Sequence, residues 1–120
     1  MYKILVVDDA GFMRMMVKTH LSKAGYDTFI EAEDGQKAVE AYQENRPDLV
    51  IMDITMPNLN GIEALRQIMA MDPAAKVVMC SALGQESMVM EAIKLGALDF
   101  IVKPFKQDRI TATVNKVLPL

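Results

Sequence analysis

Four short apolar runs in this sequence each end on a hydrophilic side chain. Runs of this kind, three or four residues long, are typical of strands that a parallel sheet buries on both faces. The carboxyl ends of such strands meet at one edge of the sheet, so the groups that follow them should lie close together. The runs are 4–7 followed by Asp8 and Asp9, 49–52 followed by Asp53, 77–80 followed by Ser81, and 100–102 followed by Lys103.

The whole chain alternates between strand patterns and helix patterns. Hydrophobic periodicity and the placement of Gly, Pro and Asn predict strands at 2–7, 28–32, 49–53, 76–80 and 99–102. They also predict helices at 11–24, 62–71, 87–95 and 108–117, and a further helix that Asp34-Gly35 opens and Asn45-Arg46-Pro47 ends. Short connections between five strands and five helices indicate a right-handed βα series. The predicted fold class is therefore α/β, a doubly wound five-stranded parallel sheet with helices on both faces.

Several local details of the helices are also predicted. Phe12 belongs to the apolar set of the first helix and is expected to face inward. Gly25 and Gly96 are expected to cap the ends of the first and fourth helices, because glycine readily adopts the conformation that ends a helix. Asp108 is the expected N-cap of the last helix.

Composition limits the classes of function. The chain has 120 residues and a formal net charge of −3, with no basic patch of the kind that binds nucleic acid. No apolar run approaches the roughly 20 residues of a membrane span, and no signal segment precedes the first strand. The single cysteine, Cys80, fits a reducing compartment. We therefore expect one cytoplasmic domain over 1–120, with neither a nucleic acid nor a membrane as partner.

The acidic residues after the first and third strands form the candidate metal site. The strand order 2-1-3-4-5, which is that of flavodoxin-like domains, places those strands side by side. Asp8, Asp9 and Asp53 would then repel one another, with Asp53 exposed at the sheet edge, and a divalent cation would relieve the conflict. Carboxylates plus a backbone carbonyl from the loop after Asp53 suit Mg²⁺.

Each of these groups also has an ordinary structural interpretation. Asp8 and Asp9 are suitably placed to cap the helix that follows them, and Ser81 is suitably placed to cap the fourth helix. Lys103 could be an ordinary solvated charge at a strand end. An X-Pro bond such as Lys103-Pro104 can be cis, however, and direct the side chain back toward the carboxyl edge of the sheet. Cys80 is interpreted as a small buried hydrophobe, and His20 as a half-buried structural residue.

In its full length the sequence resembles response-regulator receiver domains of two-component systems. The resemblance rests on Asp8-Asp9, on MDITMPNLNG around Asp53, on Ser81-Ala82 and on Lys103-Pro104-Phe105. It implies that Asp53 is the phosphoacceptor, that Asp9, Asp53 and the carbonyl of Thr55 ligate Mg²⁺, and that Asp8 holds a metal-bound water. It further implies that Ser81 and Lys103 contact the phosphoryl group, and that Phe100 turns inward when Ser81 is drawn to it.

Within the receivers, the sequence is similar to chemotaxis regulators of the CheY type. This similarity rests on the first-helix run GFMRMM, on CSALGQ and on FIVKPF. It implies a chemotaxis histidine kinase as the phosphoryl donor, a flagellar motor-switch protein as the downstream partner and a monomeric state, and it leaves room for a phosphatase. Phe100 stands where many of these regulators carry tyrosine, so packing rather than a hydroxyl would have to carry the signal.

Other classes of protein share parts of this pattern. A haloacid-dehalogenase-type phosphatase also uses an aspartate at a strand end with Mg²⁺, but it needs a second aspartate where Thr55 stands. A flavodoxin-like electron carrier should have a hydroxyl-rich phosphate loop where Asp8 and Asp9 stand. A receiver of another two-component pathway, or one cut from a longer regulator, is a further alternative.

Eleven methionines are many for this length. Most are interpreted as core filler, because methionine packs irregular gaps. Met15, Met88 and Met90 are candidates for exposure on an adaptable partner surface.

Overall fold

The computed structural model describes residues 2–120 and contains one five-stranded sheet between two layers of helices. All strand pairs are parallel and the strand order is β2-β1-β3-β4-β5. The predicted fold class and strand order are confirmed. The strands are β1 (Lys3–Val7), β2 (Thr28–Ala32), β3 (Leu49–Asp53), β4 (Val77–Ser81) and β5 (Asp99–Val102), and the helices are α1 (Gly11–Lys23), α2 (Gly35–Asn45), α3 (Gly61–Met71), α4 (Glu86–Leu95) and α5 (Gln107–Val117).

Alternate residues of each strand enter two separate hydrophobic cores. Leu5, Val50 and Met79 face the core shared with α2, α3 and α4. Ile4, Ile51 and Val78 face the core shared with α1 and α5. Because both faces are covered, the three central strands β1, β3 and β4 carry continuous apolar runs, and this explains why the apolar runs predict them so well.

Helix boundaries differ from the predicted ones by a residue or two. The C-cap of α1 is Ala24 rather than Gly25, which follows it with a φ of 105°. The prediction for Asp108 is wrong: Lys106 is the N-cap of α5, and Asp108 lies in the first turn. There its negative charge faces the positive end of the helix dipole, which favours an acidic residue without a capping bond. None of the helices within residues 2–120 is long and apolar enough to cross a bilayer.

The inward orientation predicted for Phe12 is also wrong. Its side chain is 72% exposed, while Val17 and Leu21 of the same helix are buried. Buried positions spaced by four define a stripe along α1, with the partly buried Met13 one turn before Val17. Phe12 lies about 100° around the helix from Met13 and therefore faces outward.

Two tyrosines bind the C-terminal segment at the amino ends of the strands. The hydroxyl of Tyr26 donates to the main-chain oxygen of Leu118 at 2.7 Å. The hydroxyl of Tyr2 donates to the oxygen of Pro119 at 2.9 Å. The last helix is thereby held against the edge of the sheet opposite to the one where Asp53 ends β3.

Candidate functional site

Three carboxylates converge at the carboxyl edge of the sheet. Asp8 and Asp9 follow β1, Asp53 ends the adjacent β3, and one carboxylate oxygen of each lies within 4.8 Å of the other two. Asp8 Oδ1 accepts a hydrogen bond from the backbone N–H of Ala10 at 3.0 Å. Ala10, not Asp8 or Asp9, is the N-cap of α1, so the helix-cap interpretation of the two aspartates is wrong. The predicted cluster of Asp8, Asp9 and Asp53 is therefore present.

The ammonium of Lys103 lies between two of these carboxylates. Lys103 Nζ is 2.8 Å from Asp8 Oδ2 and 3.2 Å from Asp53 Oδ2. The Lys103-Pro104 peptide bond is cis, and the backbone N–H of Lys103 donates to the oxygen of Ser81 at 2.7 Å. Lys103 is therefore not a solvated strand-end charge. Its ammonium partly offsets the repulsion between the Asp8 and Asp53 carboxylates, which, from the sequence alone, a divalent cation is expected to relieve.

Asp53 is buried rather than exposed, which corrects the prediction for its side chain. Only 8% of the residue is accessible, because the loop after β3 turns back over the strand end. Burial raises the pKa of the Asp53 carboxyl, and the charge of Lys103 lowers it only in part. For Lys103, burial opposes the charged form, but the hydrogen bond to Asp8 and the charge of Asp53 outweigh it and raise its pKa. Lys103 is therefore held as an ammonium beside the Asp53 carboxyl group.

The loop after Asp53 can take this path only with glycine at its end. A Cβ added to Gly61 would lie 2.0 Å from the main-chain oxygen of Asp53. Gly61 also donates its N–H to the oxygen of Ile54 at 2.7 Å. The close contact places Thr55, which is exposed, two residues beyond the Asp53 carboxylate at the mouth of the site.

The oxygen donors of this site match the chemistry of a hard divalent cation. Asp8, Asp9 and Asp53 supply carboxylates of which one is exposed and two are buried, so solvent reaches the cluster from one side. Mg²⁺ binds through one or two carboxylates and keeps several waters. The residues present therefore fit Mg²⁺, and the exposed side leaves room for water and for a phosphate.

Ser81 and Phe100 line a cavity next to the carboxylate cluster. Ser81 is the last residue of β4, is 2% exposed, and does not cap α4, whose N-cap is Gln85. Phe100, half-buried on β5, lies across a cavity of about 220 Å³ from it. The lining residues are Ser81, Ala82, Leu83, Glu86, Val89, Met90, Phe100 and Val102. The structure thus brings both predicted switch residues to one apolar space.

Residues 4–115 match the family model described as the response regulator receiver domain. The chain belongs to the response regulator receiver family. The receiver is 57% identical over 115 residues to the chemotaxis protein CheY of Thermotoga maritima, covering 96% of both chains. It is 56% identical over 117 residues to CheY of Bacillus subtilis, covering 98% of both chains. It is thus a CheY-type response regulator of two-component signalling.

A solved structure also resembles this receiver over nearly its whole length. The crystal structure of a CheX–CheY–BeF3–Mg complex from Borrelia burgdorferi matches with a TM-score of 0.92 and 36% identity, covering 99% of this chain and 90% of that one. Family membership excludes the haloacid-dehalogenase and flavodoxin alternatives for this chain. It also means that the protein is not an enzyme of the ordinary kind that turns over an external substrate.

Two residues of the receiver site were missed by sequence reasoning. Arg14 donates from Nη1 to the main-chain oxygen of Asp8 at 2.7 Å and from Nε to Glu31 at 2.9 Å. Gln85 joins the two loops at the mouth of the site through its side-chain amide. Both lie in segments that carried the resemblance, GFMRMM and CSALGQ, but a polar residue in a helix or loop gives no sign of its partner.

The remaining polar candidates have structural roles. Cys80 is buried, and burial raises the pKa of its thiol to about 12, so it is a core residue and not a nucleophile. His20 is half-buried as predicted, with its ring edge-on to Phe105 at a centroid distance of 6.4 Å. Of the three candidate methionines, Met15 and Met90 are exposed and Met88 is intermediate.

The buried charge of Asp53 should cost stability when no cation is bound. A raised pKa means that the folded state holds the proton more tightly than the unfolded state, so this cost is absent below the ordinary Asp pKa of about 3.9 and grows as the pH rises through the folded value. In chelator at pH 7, Asp53→Asn should therefore melt a few degrees higher, corresponding to about 1 kcal/mol.

This advantage of Asp53→Asn should disappear as the pH falls below about 4. The exposed Asp27 offers a matched control, and Asp27→Asn should change the melting temperature little at either pH. An Asp53→Asn variant that melts below the parent at pH 7 would mean that the pairing with Lys103 outweighs the burial.

Proposed function

We propose that Asp53 accepts a phosphoryl group from a phosphohistidine of a chemotaxis histidine kinase. The observation that carries this proposal is the buried Asp53 carboxylate, paired with Lys103 at 3.2 Å and adjoined by Asp8 and Asp9. A nucleophilic carboxylate that attacks a phosphate needs positive charge nearby and little competing water. The pairing and the burial favour both conditions.

Each polar residue of the site has a role in this proposal. Asp9, Asp53 and the main-chain carbonyl of Thr55 would hold Mg²⁺, with Asp8 holding a metal-bound water. Bound there, Mg²⁺ would supply positive charge to the oxygens of the transferring phosphoryl group. Lys103 already lies beside Asp53 and can neutralise a phosphoryl oxygen by a small shift of its ammonium. Ser81 can donate its hydroxyl to another.

The receiver would act as its own catalyst in this reaction. Asp53 attacks phosphorus, the bond from phosphorus to the histidine nitrogen breaks, and an acyl phosphate forms on the carboxylate. Water later hydrolyses that bond and regenerates Asp53. A phosphatase can speed this step. The Borrelia structure, in which a CheY is bound to CheX, supports a further protein partner for this regulator.

Output would leave through the face formed by α4, β5 and α5. Once phosphorylation draws Ser81 toward Asp53, Phe100 would turn into the cavity of about 220 Å³ that Ser81 and Phe100 both line. The exposed Met90 and Val102 border this cavity, so its closure changes an apolar surface. We propose a flagellar motor-switch protein as the partner that reads the change.

Three further assignments complete the proposal. We infer that residues 1–120 act as one receiver domain, that the protein is a monomer, and that it works in the cytoplasm. The near-complete coverage of the two CheY relatives, 96% and 98% of their lengths, supports the first. The reduced, buried Cys80 supports the last.

A test of the proposed function follows from its need for a cation. With a small acyl phosphate as donor and Mg²⁺ present, the intact mass of the chain should rise by one phosphoryl group. Chelator should slow the reaction by about a hundredfold or more, the factor that removal of one charge-stabilising group commonly gives. Adding Mg²⁺ back provides the control. An equal rate in chelator would contradict the metal assignment, and no uptake from either the small donor or a phosphorylated chemotaxis kinase would contradict the function.

A further inference from the structure

The loop that joins β4 to α4 is exposed and has few supports of its own. Ala82, Leu83 and Gly84 are exposed, with Leu83 82% accessible and Gly84 at a φ of 89°. Ser81, at the start of this loop, is the last residue of β4. The end of the loop, at Gln85, is where α4 begins. The contacts that hold Gln85 in place therefore set the position of the first turn of α4 relative to Ser81, the predicted phosphoryl contact.

The side chain of Gln85 makes two hydrogen bonds in opposite directions. Its Oε1 accepts from the backbone N–H of Ala82 at 2.7 Å, and its Nε2 donates to the hydroxyl of Thr55 at 2.8 Å. Gln85 is the N-cap residue of α4, yet its side chain does not cap the helix. The amide is used instead to join the loop after β3 to the loop after β4, across the mouth of the site.

The same residue also carries the first turn of α4. The main-chain oxygen of Gln85 accepts from the N–H of Val89 at 3.0 Å. Val89 and its neighbours Glu86 and Met90 form the α4 wall of the cavity that faces Phe100. One side chain thus connects Thr55, on the metal side of the site, to the wall of the output cavity.

We propose that Gln85 is a positioning residue that transmits phosphorylation from the loop carrying Thr55 to α4. This inference rests on the proposed function. A cation and a phosphoryl group at Asp53 would pull on the backbone at Thr55, which the proposed function assigns as a ligand. The Thr55 hydroxyl moves with that backbone, and through Gln85 the shift reaches the first turn of α4. This route is separate from the contact between Ser81 and Phe100.

A hydrogen bond transmits phosphorylation to α4 only if its two partners move together. The test must therefore measure a change in α4 itself and not only the stability of the protein. The readout is amide hydrogen exchange at Val89 and Met90, measured before and after phosphorylation by a small acyl phosphate with Mg²⁺. The phosphorylated fraction is determined by intact mass in every sample. In Gln85→Ala, the phosphorylation-dependent change in exchange rate should be about fivefold smaller than in the parent, the factor that one ordinary hydrogen bond gives.

Two further variants separate transmission from mere support of the loop. Gln85→Glu should recover most of the response, because a carboxylate accepts from the Ala82 N–H and from the Thr55 hydroxyl alike. Gln36 of α2 also makes a side-chain hydrogen bond, to Glu40 at 3.2 Å, and Gln36→Ala is the matched control that should respond as the parent does. Thr55→Val removes the other half of the bridge, so it should show the Gln85→Ala loss per phosphorylated molecule even if Gln85→Ala folds poorly.

The possible results divide cleanly between the two proposals. An α4 response in Gln85→Ala equal to that of the parent would overturn the role of Gln85 and leave the proposed function intact. The role of Gln85 would be overturned equally if Gln36→Ala lost the response as well, or if Gln85→Glu recovered none of it. A parent chain that takes up no phosphoryl group would overturn the proposed function, and the role of Gln85 with it.

Discussion

Incubation of Asp53→Asn with a small acyl phosphate and Mg²⁺ should add no phosphoryl group, while the parent chain should gain one. Asparagine keeps the shape of the side chain but has no anionic oxygen with which to attack phosphorus. Asp8 is no substitute, because its two oxygens are already engaged by Lys103 and by the Ala10 N–H. Asp9 is exposed and lacks an ammonium partner of this kind among residues 2–120. Intact mass before and after incubation measures the result.

A second aspartate on a strand provides the control for this experiment. Asp99 begins β5, at the amino edge of the sheet, and its carboxylate accepts from the backbone N–H of Phe100. Asp99→Asn should be phosphorylated like the parent. Persistent labelling of Asp53→Asn, mapped by peptide analysis to another carboxylate, would show that the acceptor has been assigned to the wrong residue.

Ser81→Ala should greatly weaken the ability of phosphorylation to raise affinity for a motor-switch peptide. Allosteric couplings of about 1 to 3 kcal/mol correspond to a 5- to 150-fold gain in affinity, and we expect the parent to lie within that range. Without the Ser81 hydroxyl, the loop after β4 loses the hydrogen bond to the phosphoryl group that would draw it toward Asp53. Phe100→Ala should reduce the gain in the same way, because the cavity of about 220 Å³ loses the ring that would fill it.

The affinities should be measured on samples with a known phosphorylated fraction, so that slower phosphorylation of a variant is not mistaken for a weaker switch. Phe12 offers a matched control for Phe100, since it is 72% exposed on α1 and does not line the cavity. Phe12→Ala should keep the parental gain. If the phosphorylated and unphosphorylated parent bind the peptide equally well, the assignment of the face formed by α4, β5 and α5 as the output surface is wrong.

The sequence predicts the sheet and the clustering of polar side chains at its carboxyl edge well for one physical reason. Strands buried on both faces must be apolar throughout, so the first hydrophilic residue marks the strand end. Asp53 and Ser81 are the final residues of β3 and β4, and Asp8 and Lys103 follow β1 and β5. Because all the strands are parallel, finding their ends is equivalent to finding the site. The helix ends are marked less clearly, since Lys106 caps α5 without any side-chain bond.

Burial and pairing inside the site could not be predicted in the same way. Asp53 is buried by a loop whose path depends on the contact between Gly61 and the Asp53 main-chain oxygen, eight positions apart in sequence. The Gln85–Thr55 hydrogen bond joins residues 30 positions apart. Such contacts depend on the relative heights of two loops above the sheet, and no periodic pattern records them. Phe12 is predicted to be buried and is exposed, whereas Asp53 is predicted to be exposed and is buried. An apolar residue in an amphipathic helix need not lie on the buried stripe of that helix.

The attachment of the C-terminal segment by Tyr2 and Tyr26 bears on how this receiver can be observed in living cells. Because Leu118 and Pro119 are bound at the amino edge of the sheet, a fluorescent reporter joined after Leu120 would emerge on the side away from Asp53. A reporter joined there leaves the edge of the sheet that carries Asp53 uncovered. The hydroxyl-to-carbonyl bonds also shorten the free tether, so the fluorophore would follow the tumbling of the receiver closely enough for polarisation to report its capture by a larger assembly.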